Sequence, residues 1–525
     1  MKSKIIILLL VMTVIITACT VQKPPQIDEE PQDLPPATPS VGGSIVIGTD
    51  VDSLYLDPLG LQMSKSPLYN LTTILYQGLL GYNEKLELDK NLAADYLLDI
   101  ENNQLIFSLQ EGLKWQNGTD LTLEDIQSTL EWYSQGEYNG KWKSYTLDII
   151  GTDDFRKGKS ENVSGITISD EKKQITVAFK QLDPADLQLF TAPILSASQL
   201  SDISVSQIKE QAGKGLLLAN GPFKLQSQSA DNSEWQLIRN DYYPGLVYLD
   251  KIIFRNSEQG VQDLQLTLPM DESLNDETRD TLLLDGQGYT YLGMNLNTEV
   301  WKDLNNREAL SKALDYDKII QSIYFGFGKR PLSVLHPMSY AYQAILANSS
   351  EETAPVNFAG QKLTLKLAYE SNPLQELLAK ELAEQLKQNG LTIELTPVAS
   401  DQYIPQLFSK GAWDLFLASW PYEVDLTKEN SKWLSKNDVL LGGYNVSHLQ
   451  DSKSDELLLA AGINTDYDSQ RELYVQWQEY FMKQNYIIPI VSPQTVFTVD
   501  KKLHVQITNS LVPFIDINNW WTEVK

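Results

Sequence analysis

QKLTLKLAYESNPLQELLAKELAEQLKQNGLTIELTPVASDQYIPQLFSKGAWDLFLASW, residues 361–420, changes its hydrophobic period four times. Residues 363–368 (LTLKLA) alternate apolar and polar side chains, the pattern of a strand. Ser371, shortly before Pro373, is the expected N-cap of a helix running to about Asn389. Leu374, Leu377, Leu378, Leu382 and Leu386 are expected on one face of it, and Gly390 ends it. Residues 391–398 read as a second strand, 401–409 as a short helix, and 413–418 (WDLFLA) as a third strand. The order β-α-β-α-β is the unit of an open parallel sheet, because parallel neighbours need a crossover that a helix supplies. Ligands of such sheets lie beyond the carboxyl ends of the strands. Here those ends are Tyr369-Glu370 and Ser419-Trp420.

Outward from this unit the chain stays mixed. Residues 44–49 (SIVIGT), 104–109 (QLIFSL), 223–228, 235–239 and 249–255 read as strands. Residues 165–168 and 174–179 form a hairpin around Asp170-Glu171-Lys172-Lys173. Residues 68–80 have helical spacing, with stops at Gly78 and Gly81. Asn117-Gly118 marks a turn, after which Thr122 and Asp125 are the N-cap and its partner for a helix to about Tyr133. Residues 289–296 are apolar and aromatic and are expected to cross between domains; residues 473–482 read as a late helix before 486–491 (YIIPIV). No internal repeat is visible.

The N-terminus reads as an address. Lys2 and Lys4 precede an apolar stretch, residues 5–16, too short for a dependable membrane span. Ile16-Thr17-Ala18-Cys19 follows, a bacterial lipobox, and Cys19 is the only cysteine in 525 residues. Residues 1–18 are therefore expected to be a signal peptide, and Cys19 the lipidated first residue of the mature protein. A diacylated cysteine supplies two chains, enough for stable anchoring. Residues 19–41 form a tether: six prolines fall between Pro24 and Pro39, interleaved with acids. No disulfide can form within the chain, so packing alone must hold it. The formal net charge is −27, or −29 once Lys2 and Lys4 are removed (40 basic against 69 acidic residues). That balance argues against nucleic acid as a partner and for a solvated surface at the cell envelope. His336, His448 and His504 are far apart, so neither a metal site nor a cofactor is expected. No G-x-S-x-G or H-E-x-x-H occurs, which argues against an enzyme.

Pieces of the chain, taken in order, resemble family 5 of the extracellular solute-binding proteins, the oligopeptide- and dipeptide-binding group. They are Gly42–Thr49 with Leu56-Asp57-Pro58, Tyr76-Gln77-Gly78-Leu79-Leu80, Asn91-Leu92-Ala93, the block FSLQEGLKWQNGTDLTLEDIQSTL at 107–130, Asn220-Gly221-Pro222-Phe223, Tyr248-Leu249-Asp250 and Arg307-Glu308-Ala309-Leu310. The resemblance implies an α/β, periplasmic-binding-protein-like type II fold with two hinged lobes and an extra domain. Domain I would take 42–80, 196–288 and 495–525; domain II 81–195; domain III 289–494. Crossovers between the lobes are expected near 200–220 and 289–297. The segment 255–289 is shorter than the family's and lacks its usual helix.

The implied function is capture of a peptide or peptide-like solute for an ABC permease and its ATPase. The protein would be a monomer held by lipid at the outer face of the cytoplasmic membrane, facing a periplasm where an outer membrane exists. Two alternatives stay open: a receptor or chaperone lipoprotein on the same fold, and an exported hydrolase. Peptide-binding relatives pair an acid after the third strand of domain III with the peptide's amino group. On that register Trp420 and Glu423 fall on the family's tryptophan and acid, Asp425 is a second candidate, and Tyr403 aligns with an aromatic pocket residue. Each has a plainer reading: loop acids for Glu423 and Asp425, core or helix packing for Trp420 and Tyr403. Pro421 has no N–H to give a β-paired ligand.

Overall fold

The computed structural model describes residues 38–523, apart from 51, 53, 62–65, 203–204, 230–232, 257–259, 268–276, 346–362, 408–412 and 465. Cys19 and the tether up to residue 37 lie outside the described residues. From Pro39 onward the described residues form one compact unit.

Three sheets organise it. The first has seven strands, in the spatial order 279–284, 495–500, 264–267, 44–49, 251–256, 234–239 and 223–228. Strand Ser44–Thr49 runs parallel to Lys251–Asn256, pairing Ile45 with Ile252 and Ile47 with Phe254. All four side chains are buried. The second sheet has four antiparallel strands, 93–99, 104–109, 174–178 and 166–169, backed by the helix Leu123–Ser134. Thr122 caps that helix in a reciprocal box with Asp125, as the spacing predicts.

The third sheet has six strands, in the order 328–329, 487–493, 288–294, 415–421, 364–370 and 392–398. It contains the β-α-β-α-β unit, with Thr364–Glu370 parallel to both Thr392–Val398 and Leu415–Pro421. The sheet is nevertheless mixed, because Gly288–Met294 enters antiparallel to Leu415–Pro421 and Ile487–Pro493 antiparallel to Gly288–Met294. Leu415 and Leu417 face one core and Phe416 the other, the alternation that a strand buried on both faces requires.

Four local expectations change. The helix Pro373–Gln388 is capped by Asn372, whose side chain accepts from Gln375 N at 2.9 Å. Ser371 N is already engaged with Val398 O at the end of the sheet. Leu374 and Leu377 are exposed, and the buried face is Leu378, Ala379, Leu382 and Leu386. Residues 68–80 give the end of a 3-10 turn, Pro67–Tyr69, and one short α-helix, Thr72–Leu75. The apolar run that follows it is buried on every side, and Gln77 N binds Asn220 Oδ1 at 2.8 Å instead of continuing a helix. Finally, the chain passes between the seven- and six-stranded sheets at 285–287 and at 494, not at 200–220 and 289–297.

Those two passes touch. A Cβ at Gly286 would stand 2.0 Å from Pro493 O, and one at Gly288 2.4 Å from Trp420 O. Side chains tie the same region: Ser492 Oγ donates to Gly288 O at 2.8 Å, Ser510 Oγ to Asp285 O at 2.6 Å, and Gln287 Nε2 to Ser510 O at 2.9 Å. Gly286→Ala should therefore force the passes apart and cost about 1–3 kcal/mol, the usual range for overpacking. Chemical denaturation measures it. A loss under about 0.5 kcal/mol, the size of an ordinary surface change, would mean that the passes separate freely.

Candidate functional site

Two parallel strands part at their carboxyl ends, and the gap between them is the crevice expected of such a sheet. Leu367 pairs with Leu415 and Ala368 with Phe416, but no pairing joins Tyr369 and Glu370 to the rest of Leu415–Pro421. Tyr403, from the helix Ser400–Leu407, sits at the fork. Its hydroxyl donates to Leu417 O and lies 3.4 Å from Ala368 O. Tyr403 is buried, so it holds the base of the crevice and does not line it.

Above the fork stands Trp420, paired on its far side with Tyr289. Its indole N–H lies beside the Tyr291 hydroxyl, whose pKa burial pushes well up. Pro421 pairs with Gly288, leaving its ring on the exposed edge. Tyr422 turns inward against His336, ring centroids 5.1 Å apart. Burial pulls the His336 imidazole down to about 4, with Asp285 opposing. Among the described residues no cluster of histidine, cysteine and acids stands together to hold a metal.

Glu423 and Asp425, two residues apart, meet different surroundings. Asp425 is consumed by structure. It accepts from the Tyr145 hydroxyl at 2.7 Å, from Thr427 N at 3.0 Å and from Thr427 Oγ1 at 2.6 Å. The first bond reaches across to the part of the chain that carries the four-stranded sheet. Glu423 remains 22% exposed and binds the ammonium of Lys432 at 3.0 Å. The same ammonium lies 3.1 Å from Glu429, 3.2 Å from Pro421 O and 5.4 Å from the centre of the Trp420 ring. Glu429 is fully buried and also accepts from Trp433 Nε1 at 2.7 Å. Burial alone would lower the Lys432 pKa, but Glu429 and Glu423 outweigh it and hold it above the usual lysine value. Burial pushes the Glu429 carboxyl up, with Lys432 pulling the other way.

A further cation faces this place. Lys141, next to Trp142, is within electrostatic reach of Lys428, Asp425, Glu423 and Asp57. Crowding by protein, with Lys428 adding to it, lowers its pKa. Beside Asp425 a cavity of about 260 Å³ opens, walled by Leu86, Tyr96 and Leu187 on one side and Tyr340, Val424 and Tyr467 on the other. Sequence reasoning missed Lys432, Glu429, Lys141 and Tyr145. The i, i+3 spacing of Glu429 and Lys432 was the one available signal. Nothing local links Tyr145 to Asp425, 280 residues away.

Two large sheets joined by two passes of the chain, with parallel strands parting at their carboxyl ends, are the architecture of a two-lobed solute-binding fold. Residues 87–438 match the profile of bacterial extracellular solute-binding proteins, family 5 Middle, and the chain belongs to that family. It is 21% identical over 527 residues to the oligopeptide-binding protein AppA of Bacillus subtilis, covering 92% of each chain. It is 22% identical over 480 residues to OppA of Lactococcus lactis subsp. cremoris, covering 79% of this chain and 78% of that one. The solved structure of Bacillus subtilis AppA with a nonapeptide matches with TM-score 0.63 at 18% identity, covering 93% of this chain and all of that one. The substrate-binding protein CtaP of Listeria monocytogenes matches with TM-score 0.72 at 19% identity, covering 92% and all of it. At such identities these structures establish a shared fold. Among the described residues no helix is long and apolar enough to cross a membrane.

Lys432→Met should be costly, because it strands Glu429 without its cation. Breaking a buried pair from one side typically costs about 3–5 kcal/mol. The sign with pH follows from Glu429, whose pKa, already raised, rises further without Lys432. A group with a raised folded-state pKa favours the fold below its unfolded pKa, and that contribution is lost as pH rises through the folded value. Denaturation of the variant against wild type should show the deficit largest at neutral pH and shrinking towards pH 5. A deficit independent of pH would mean that Glu429 is already protonated in the wild type.

Proposed function

We propose that the chain is the lipid-anchored binding component of an ABC importer. It captures a peptide-like solute between domain I (42–80, 196–288 and 495–525) and domain III (289–494) and presents it, as a monomer, to a permease driven by an ATPase. Domain II (81–195) closes one side. The observation that carries this reading is the crevice above the Tyr403 fork, bounded by Trp420 and set against a two-pass hinge. The peptide ligands named for AppA and OppA support the solute class. Cys19 and the proline-rich residues 20–41 support a tether reaching from the membrane to the receptor.

Closure is tested by scattering. Native mass spectrometry of protein purified from its own host identifies the co-purified solute. Saturating the stripped protein with that solute should reduce the radius of gyration, since a ligand touching both lobes favours the closed state by its differential affinity. An unchanged radius rejects capture between closing lobes. Anchoring is tested separately: Cys19→Ala should move the protein from the membrane fraction into the medium or periplasm. Equal membrane retention of the variant rejects the lipid anchor.

A further inference from the structure

Two acids with partial solvent access stand at the crevice, Glu370 at the end of its own strand near Tyr403 and Glu423 three residues after Trp420. Glu423, on the family's register, is the expected partner for a solute's ammonium. The structure already fills that role. Lys432 reaches Glu423 at 3.0 Å, Glu429 at 3.1 Å and Pro421 O at 3.2 Å. An ammonium has three N–H donors, so these acceptors use all of them. The Lys432 side chain is only 4% exposed, and its charge lies over the Trp420 ring. Acceptors, lysine and ring all come from residues 420–432, so no movement of one lobe against the other separates them.

The surroundings agree. Asp425 is occupied by Tyr145 and Thr427. Lys141 adds a positive charge within reach of Glu423, with Asp425 and Asp57 also acting on it. A solute ammonium reaching Glu423 would have to displace Lys432, leaving a buried cation short of partners, and would come within reach of Lys141.

We propose that Lys432 is a built-in counter-ion standing where a ligand ammonium would bind, so that the crevice beside Trp420 receives peptide-like solutes by an end without a free amino group. An acylated or cyclised N-terminus, or an internal stretch of chain, has that chemistry. The inference deepens the solute-binding reading above and rests on it for the peptide-like class. The raised pKa of Lys432 is consistent with a permanently charged group.

The test is a competition read by native mass spectrometry. The probe is a synthetic pool of randomised lysine-free pentapeptides, half of it N-acetylated. Wild-type protein should retain acetylated members at least as well as free ones, and Glu423→Gln should not change that ratio. The double variant Lys432→Met with Glu429→Gln removes the buried pair and leaves Glu423 unpaired. It should shift towards free-amine members by roughly tenfold or more, the value of one charge-assisted hydrogen bond. A wild type that prefers free amines tenfold and loses the preference in Glu423→Gln overturns the proposal. A second arm needs no peptide. Propylammonium chloride, against equal sodium chloride, should raise the melting temperature of the double variant and leave the wild type unmoved. If neither half of the pool binds, the peptide-like reading fails, and this arm still decides the role of Lys432. A rise in the wild type, or none in the double variant, overturns that role. If the double variant does not fold, the Glu423→Gln ratio and the wild-type response to propylammonium decide it.

Discussion

The close contact of the two chain passes between the large sheets is the constraint on which this architecture rests. A receptor that closes needs lobes that are separate cores yet joined at a defined axis. Here the seven-stranded and six-stranded sheets are joined at residues 285–287 and 494, and Gly286 lets the first pass lie against the carbonyl of Pro493. Two touching passes define an axis better than one flexible linker would. The hydrogen bonds from Ser492, Ser510 and Gln287 fix the backbone on both sides of that axis.

The crevice follows from the same geometry. Strands 364–370 and 415–421 are parallel, so both deliver their carboxyl ends to one edge, and they part there because the Tyr403 hydroxyl is wedged between them. Polar groups gather where the backbone is no longer satisfied by the sheet. A lysine and a glutamate buried in such a place are costly unless each finds partners. Lys432 and Glu429 find them in each other, in Glu423, in Pro421 O and in Trp433. The cluster is a satisfied network, and such networks rigidify the elements that carry them.

Much of this was legible in the sequence. The β-α-β-α-β unit, the capping box at Thr122 and Asp125, and the left-handed turn at Gly390 each depend on local chemistry and appear as read. Helical spacing misled at 68–80, because residues buried on all sides obey no single period. The cap moved from Ser371 to Asn372 because the sheet claims Ser371 first. The site was legible only in part. Trp420 and Glu423 were singled out only by the resemblance to the family's pattern after the third strand. The partners that decide their chemistry could not be singled out: Lys141 and Tyr145 arrive from a loop and a short helix about 280 residues earlier in the chain, and Lys432 arrives through a helix turn after the loop.

The acidity of the whole chain gives the internal lysine a further consequence. A formal net charge of −27 makes the region around the molecule attractive to every cation in the medium. An unpaired carboxylate in a low-dielectric crevice would concentrate that attraction and hold metal ions or amines without regard to their shape. Discrimination between ligands is a difference of affinities, and a strong non-specific term erodes it. Lys432 removes the term at its source, since Glu423 presents an ion pair in place of a bare charge. On the reading proposed above, what remains to select a solute is the shape of the crevice, the flat face of Trp420 and the apolar walls of the neighbouring cavity, from Leu86 to Tyr467. Those surfaces reward a fitting solute for its contacts, and the charge of its leading end becomes secondary.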